Sequence, residues 1–318
     1  MGKYVLRRLE LLVPTVFGIS VLVFALMRFL PGDVVQLMID KEVLRNTSPE
    51  ARATLYRMFG LDAPLHIQYL RWLGGAVRGD FGVSLRTSTP VTEQLLQRAG
   101  ITGELALLAV CFSTCVAVPL GVLAAVRRNG AIELVTHLVG LVGLSVPNFW
   151  LATILLLVSS LYLKWQPQLI WVSPFEHPLA NLKQMALPVI ALSVGLMAVV
   201  MRMTRSSMLE VLGQDYIRTA RAKGQRERVV VTRHAFKNAV IPVLTVIGLQ
   251  LGGLLGGTVI IEQIFGLPGI GWLILNAIYQ RDYPVVQGGV FFTALIFVLV
   301  NLFVDLLYAY VDPRIRYK

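Results

Sequence analysis

The sequence contains few charged residues and few cysteines. Only 15% of its 318 residues are Asp, Glu, Lys or Arg, whereas an ordinary soluble domain has about 25%. Its two cysteines, Cys111 and Cys115, are four residues apart in an apolar stretch, where we expect both to pack as small apolar side chains against a neighbouring helix. The low charge disfavours a soluble domain, and two such cysteines do not form a disulfide framework.

The sequence also lacks the motifs of an enzyme site. It has no G-x-x-x-x-G-K-[S/T] phosphate loop, no cluster of His, Cys and acidic residues with metal-ligand spacing, and no nucleophile beside a plausible base. His177 is isolated, which disfavours a metal-ligand role. We therefore predict that the chain has no catalytic residue and no metal site, binds no cofactor, and does not hydrolyse ATP.

What the sequence does contain is a set of long apolar runs, in a chain that is 56% hydrophobic. Six runs reach the length of about 20 residues that a membrane-spanning helix needs. They cover residues 9–30, 101–126, 135–163, 184–201, 239–261 and 287–311. The fold class that we predict is all-α: a polytopic membrane protein with six transmembrane helices, a small helical external segment and a short cytosolic helix.

The division of the chain follows from these runs. Residues 1–30 would hold a cytosolic amino terminus and a retained first span, because the run is longer than a signal-peptide core and ends in Leu-Pro-Gly-Asp at 30–33 rather than at a cleavage site. Residues 31–100 would form an external, periplasmic segment with helices starting near Ser48, Leu65 and Thr89. Residues 101–318 would form a five-helix core that includes a cytosolic loop over 202–238.

The net charge of +11 is unevenly distributed. With both termini and the second and fourth loops on one side, that side holds seventeen basic and six acidic residues, which accounts for the entire excess. The positive-inside rule assigns this side to the cytosol. The asymmetry therefore indicates a lipid bilayer as the partner and disfavours nucleic acid.

The longest charge-rich interval between two apolar runs covers residues 210–242. Within it we predict a short helix, in which Asp215 is the N-cap, Tyr216 to Lys223 form the turns, and Gly224 supplies the left-handed residue that ends it. Pro242 would mark the entry to the next apolar run. A solvated basic loop and a surface helix gripped by a cytosolic partner are both compatible with the charge alone.

Polar residues inside the apolar runs are candidates for lining a pathway. Pro147 must bend the third span, and Asn148 beside it either satisfies the freed backbone or faces a polar channel. Asp305 either couples an ion or pairs structurally, with Asn301 as a possible neighbour. Gly248, Gly252 and Gly256 share one helix face and would pack within the chain or on a partner subunit. The full candidate set is Asn148, Thr245, Gln250, Thr258 and Asp305.

Several motifs resemble one family of membrane proteins. The sequence DYIRTARAKG ends at Gly224, and Arg233-His-Ala and Asn238-Ala follow it. Together with Gly-Asp-Phe-Gly-x-Ser at 79–84, Arg-Asp-Tyr-Pro at 281–284 and Asp-Pro-Arg-Ile-Arg at 312–316, they resemble the dipeptide/oligopeptide/nickel permease family of ATP-binding-cassette importers. Pro242 lies further past the glycine than in the general importer loop, and this spacing agrees with the peptide-permease subgroup.

The resemblance implies a non-catalytic permease subunit in a bacterial inner membrane, multi-pass, with both termini cytosolic. It implies a second related permease subunit, two ATPase subunits that bind ATP and Mg²⁺, and an external substrate-binding protein. The cargo would be di- or oligopeptides, and nickel complexes, glutathione or another small solute are the alternatives. The residues that would form the ATPase-coupling contact are Asp215, Tyr216, Ile217, Arg218, Thr219, Ala220, Ala222, Lys223 and Gly224.

A function of another class is an ion-coupled secondary transporter that works alone, with Asp305 as the coupling carboxylate. The coupling-loop motif and the lack of a detected inverted repeat argue against it.

Overall fold

The computed structural model describes residues 2–29, 62–168 and 170–311. The predicted helix near Ser48 and the motifs at 30–33 and 312–316 lie outside the described residues. The elements are α1 (Gly2–Phe29), α2 (Leu65–Val77), α3 (Val91–Val126), α4 (Ala131–Ser145), α5 (Asn148–Tyr162), α6 (Pro178–Leu212), α7 (Asp215–Ala222), α8 (Glu227–Val229), a π-helical segment (Val230–Ala235), α9 (Phe236–Phe265), α10 (Ile270–Gln280) and α11 (Tyr283–Val311).

The predicted all-α class is confirmed, and the predicted count of six spans is not. Five stretches in the described ranges are long and apolar enough to cross a membrane as single helices: Leu6–Arg28, Val91–Val126, Pro178–Leu212, Glu227–Leu254 and Tyr283–Leu306. Two further pairs of helices, each interrupted by a short break, bring the number of candidates to as many as seven.

The third predicted span is one of the interrupted pairs rather than one bent helix. α4 and α5 meet at an angle of 102°, because Val146 (φ −85°, ψ 120°) and Pro147 (φ −63°, ψ 136°) both have extended backbones. Proline has no N–H to donate and disfavours helical geometry in the residue before it. The prediction of a bend at Pro147 was therefore correct in place, and the prediction of one continuous helix was wrong.

Two other expectations also need correction. Pro242 lies inside α9, which begins at Phe236, so it does not mark the entry to that helix. Cys111 and Cys115 are exposed free thiols on α3, so neither packs within this chain as expected.

The chain divides into two compact units. The first unit comprises Thr102–Leu267 and the end of α11 from Leu299, and the second comprises Gly2–Ile101 and Pro268–Val298. In the first unit, α6 is the central helix and packs against α4, α5 and α9. α4 lies very close to α6, because a Cβ atom on Gly143 would be only 3.1 Å from the carbonyl oxygen of Val194. Glycine at this position therefore permits the close packing.

The second unit has a core of aromatic and aliphatic side chains. Tyr69 donates or accepts a 2.7 Å hydrogen bond with Ser20 of α1, and Trp72 packs edge-on against Phe291 with ring centroids 5.3 Å apart. Both aromatic residues belong to α2, which confirms the amphipathic helix predicted to begin near Leu65. The helix predicted near Thr89 is also present, but it continues without a break into the second span as α3.

Candidate functional site

The helix α7 covers Asp215–Ala222, which confirms the short helix predicted in the charged loop. Its N-cap is Gln214 (φ −74°, ψ 150°), and no side-chain hydrogen bond caps it. The prediction of Asp215 as the N-cap was therefore wrong by one position. As the first helical residue, Asp215 places its carboxylate at the positive end of the helix and pairs with Arg218 at 3.2 Å. Both side chains are highly exposed, so this pair contributes little stability.

The end of α7 has the predicted left-handed glycine. Gly224 has φ +75°, and its N–H donates a 2.9 Å hydrogen bond to the carbonyl oxygen of Arg221. Lys223 (φ −75°, ψ 6°) is the C-cap between the last turn and this glycine. A non-glycine residue is strained at such a φ, so the position requires glycine for a backbone reason.

Two members of the predicted contact set face inward. Ile217 is fully buried and Ala220 is 7% exposed. They lie three residues apart on one face of α7 and pack with Ala125 of α3, Met208 of α6 and Val230 of the π-helical segment. Burial of these side chains fixes α7 on its own chain. The predicted coupling contact, which includes Ile217 and Ala220, stays a prediction.

The opposite face of α7 is open to solvent. Tyr216 is 44% exposed, and its hydroxyl accepts a 2.9 Å hydrogen bond from Nδ2 of Asn238 in the first turn of α9. This bond joins the two motifs that the sequence analysis noted separately. The remaining predicted residues on this face are all exposed: Asp215, Arg218, Thr219, Ala222, Lys223 and Gly224.

A bidentate ion pair joins the last turn of α7 to the start of α8, in the connection that leads to α9. Nε of Arg221 donates to Oε2 of Glu227 at 3.1 Å, and Nη2 donates to Oε1 at 2.7 Å. The hydrogen bonds to Glu227 raise the pKa of Arg221 above its ordinary value. The π-helical segment Val230–Ala235 follows and contributes Val230, Val231 and Ala235 to the same buried cluster as Ile217. Such segments within helices occur frequently at functional sites.

The pathway candidates do not form one group. Asn148 and Gln250 line the same cavity of about 460 Å³, together with apolar residues that include Leu192, Leu196 and Val246. Nε2 of Gln250 donates a 3.4 Å hydrogen bond to the carbonyl oxygen of Leu196. The cavity is lined by residues of α5, α6 and α9, and its lining is apolar except for these two amides.

Three other candidates lie elsewhere. Thr258 is fully buried, Thr245 donates to the carbonyl oxygen of Ile241 at 3.3 Å, and Asp305 is half-buried in α11. None of these three residues lines the cavity that contains Asn148 and Gln250.

Two buried carboxylates were not predicted from the sequence. Oε1 of Glu262 accepts a 2.7 Å hydrogen bond from Thr102, and Glu262 is fully buried near the end of α9. Asp282 accepts a buried hydrogen bond from the hydroxyl of Ser84 and a 3.2 Å bond from the N–H of Leu85. For Glu262 a signal was available, since it follows Thr258 by four residues and both lie on one helix face.

The described residues contain no group of three or more His, Cys, Asp or Glu side chains that could hold a metal ion.

Comparison with protein families gives two matches that together cover most of the chain. The model described as binding-protein-dependent transport system inner membrane component matches residues 117–317. A second model, for the N-terminal part of a membrane component of binding-protein-dependent transport systems, matches residues 1–106. The first match alone covers more than half of the chain and includes α7 and both amides of the cavity.

Full-length relatives and a solved structure agree with these matches. The chain is 43% identical to the dipeptide transport system permease protein DppB of Escherichia coli and 40% identical to the oligopeptide transport system permease protein AppB of Bacillus subtilis, in each case over 100% of both chains. A structure of the MetNI methionine ABC transporter in an inward-facing conformation matches with a TM-score of 0.54 and 17% identity. That match covers 69% of this chain and 96% of the other, and it shows a shared fold.

Proposed function

This chain belongs to the family of binding-protein-dependent transport system inner membrane components, and on that premise we propose that it is the permease subunit through which an ATP-driven importer moves di- and oligopeptides. The peptide cargo is supported by relatives at 40–43% identity over their whole length, which are named for dipeptide and oligopeptide transport. Nickel complexes, glutathione and a stand-alone ion-coupled transporter are not favoured by these names.

The subunit itself is non-catalytic. We propose that ATP and Mg²⁺ are bound by separate ATPase subunits that dock on the exposed face of α7. The observation that carries this proposal is the division of the helix into two faces. Ile217 and Ala220 are buried against the chain, whereas Arg218, Thr219 and Lys223 are exposed. Because one face of this short helix packs against the chain and the other is open to a partner, movement of the partner can displace the helix and the residues packed against it.

The proposed mechanism is mechanical. Closure of the ATPase dimer on ATP would displace α7. Because Ile217 shares a buried cluster with Ala125 and Met208, the displacement would be passed to the ends of α3 and α6. Closely packed helices move as rigid bodies rather than deform. The ATP state would thus shift the population between inward-open and outward-open arrangements of the spans.

The assembly that we propose contains this chain, a second related permease subunit, two ATPase subunits and an external substrate-binding protein. The complex would lie in the bacterial inner membrane with both termini of this chain in the cytosol. In this proposal α7 would be the part of the chain that faces the ATPase. Asn148 and Gln250 are the residues we expect a translocating peptide to contact, because amide side chains can pair with a peptide backbone.

The test is to add charge to the exposed face of α7 in the co-expressed complex. Ala222→Asp places a carboxylate on this face without altering the buried cluster. The matched control is Ala131→Asp, which makes the same change at an exposed first-turn position of α4. We expect Ala222→Asp to lower ATPase co-purification and peptide uptake by at least about tenfold, equivalent to about 1.4 kcal/mol of binding. Uptake and co-purification equal to those of the control would contradict the docking proposal.

A further inference from the structure

A cavity between α4 and α6 lies apart from α7 and from the cavity that contains Asn148. It encloses about 140 Å³, and its lining includes Thr136, His137, Leu141, Ala198, Arg202 and Arg205. We define these six residues as the α4–α6 pocket. Arg202 and Arg205 directly follow the apolar part of α6, on the end of the helix that leads to α7. The pocket is therefore at the level where a membrane-spanning helix leaves the hydrocarbon.

The polar half of the pocket carries positive charge. Arg202 is exposed, and no acidic side chain of the described residues pairs with it. Arg205 pairs with Glu133, yet its Nε is buried and donates no hydrogen bond within the described part of the chain. Glu133 contacts Arg205, and its carboxylate is already engaged by Arg205 and by the N–H of Asn129. A positive charge and an unused donor thus line a space that none of the described residues fills.

The other half of the pocket is apolar and continues onto an exposed apolar surface. Leu141 is 63% exposed and Leu138 is 53% exposed on the outer side of α4. Gly140 of α4 lies against α6, since a Cβ atom there would be 3.4 Å from Cε of Met201.

We propose that the α4–α6 pocket binds an anionic phospholipid of the adjacent leaflet. The phosphate would accept hydrogen bonds from Arg202 and from Nε of Arg205, and the exposed side chain of His137 lines the same pocket, where headgroup oxygens can reach it. The acyl chains would lie along Leu138 and Leu141. Basic pockets between membrane helices on the cytosolic side are suited to acidic headgroups, and Arg matches phosphate geometry well. The pocket is too small for a whole lipid and large enough for the headgroup phosphate.

The experiment uses the complex co-expressed with its partner subunits and reconstituted in nanodiscs of equimolar phosphatidylglycerol and phosphatidylcholine. After transfer to detergent, native mass spectrometry counts the lipids that remain bound. We expect preferential retention of phosphatidylglycerol. Arg202→Gln should lower that retention about fivefold, the effect of one cationic side chain near a membrane surface. The matched control is Lys183→Gln, which removes an exposed cation from the opposite end of the same helix and should leave retention unchanged.

A second variant tests whether binding depends on the open volume of the pocket, with its charge left unchanged. Gly140→Leu points into the pocket against the flexible end of Met201 and should also reduce phosphatidylglycerol retention, with every arginine still present. Equal retention of the two lipids by the wild-type complex would overturn the proposal. This result is also expected if the second permease subunit covers this face and excludes lipid. Displacement of the lipid by millimolar inorganic phosphate would also overturn it, because the site would then select a free anion.

Discussion

Asp282 illustrates how one buried carboxylate fixes a loop that is far away in the sequence. It is 4% exposed and accepts hydrogen bonds from Ser84 and from the N–H of Leu85, nearly 200 residues earlier. The Gly-Asp-Phe-Gly-x-Ser and Arg-Asp-Tyr-Pro motifs therefore meet through one pair of side chains. Turn chemistry alone explains the glycines at 79 and 82, which have φ +81° and +89°, but it does not explain Ser84.

We predict that Asp282→Ala destabilises the chain by about 2–4 kcal/mol, because two donors lose their acceptor. The apparent melting temperature of the purified complex in detergent should fall. The double variant Ser84→Ala/Asp282→Ala should be no less stable than Asp282→Ala alone, since one unpaired donor is then removed as well. Additive losses for Ser84→Ala and Asp282→Ala would show that the two side chains act independently.

Gly224 is the residue whose backbone conformation ends α7. A Cβ atom there would meet no other atom within 4 Å, so substitution by alanine costs only the strain of φ +75°, about 1–2 kcal/mol. We predict that Gly224→Ala speeds amide hydrogen exchange in the last turn of α7 by roughly 5–30-fold.

The control for Gly224 is Gly213, the C-cap of α6, which immediately precedes the N-cap residue of α7. Gly213 has φ −81°, and a Cβ atom there would make an ordinary 3.5 Å contact with the carbonyl oxygen of Glu210. Gly213→Ala should leave exchange in α7 unchanged. Similar acceleration by both alanine variants would mean that the left-handed conformation is not what holds the helix end.

At the scale of the element, α7 shows what a motif can and cannot predict. Its length and its final glycine followed from the DYIRTARAKG sequence, but the motif does not separate the residues that face the chain from those that face outward. The separation follows from helical spacing, because Ile217 and Ala220 are an i, i+3 apolar pair in a polar helix. The N-cap was misplaced by one residue, since the side chain of Asp215 does not make the capping bond that its residue type favours.

The glycines that share one face of α9 do not have the same surroundings, and the sequence did not reveal this difference. A Cβ atom on Gly248 would collide with the side chain of Val304 in α11, whereas one on Gly256 would meet nothing within 4 Å. Of the two predicted alternatives, packing within the chain therefore holds at Gly248. At Gly256 this chain leaves the helix surface open.

We predict opposite effects of alanine at these two positions. Gly248→Ala should lower the apparent melting temperature of the complex, because overpacking against Val304 costs about 1–3 kcal/mol. Gly256→Ala is the matched control on the same face of the same helix. It should preserve or slightly raise stability, since alanine favours helix by about 1 kcal/mol over glycine. An equal response at both positions would argue against direct packing of Gly248 on Val304.

At the scale of the whole molecule, hydrophobic run length predicted most of the helices and failed where backbone geometry intervened. The apolar run at 135–163 is continuous in composition, so it could not reveal that Val146 and Pro147 turn the chain by 102°. Apolar runs likewise gave no sign that the helix predicted near Thr89 and the span predicted from residue 101 form one continuous helix, α3, because its first turns are amphipathic. Polar residues were identified by type, but their grouping depends on tertiary packing: Asn148 and Gln250 share a cavity, and Asp305 does not.

The charge asymmetry yields a prediction about the orientation of the whole chain. If both termini and the second and fourth loops lie on the side of α7, that side carries the entire positive excess, and the positive-inside rule then predicts that it is cytosolic. Replacing Cys111 and Cys115 with alanine gives a background without thiols, and both side chains are exposed, so their removal leaves no internal cavity. Phe175→Cys, at a position 96% exposed, should react with a membrane-impermeant maleimide in spheroplasts. Gln225→Cys, exposed just beyond α7, should react only after the membrane is permeabilised. The reverse pattern would place α7 outside the cell, where no ATPase subunit could reach it.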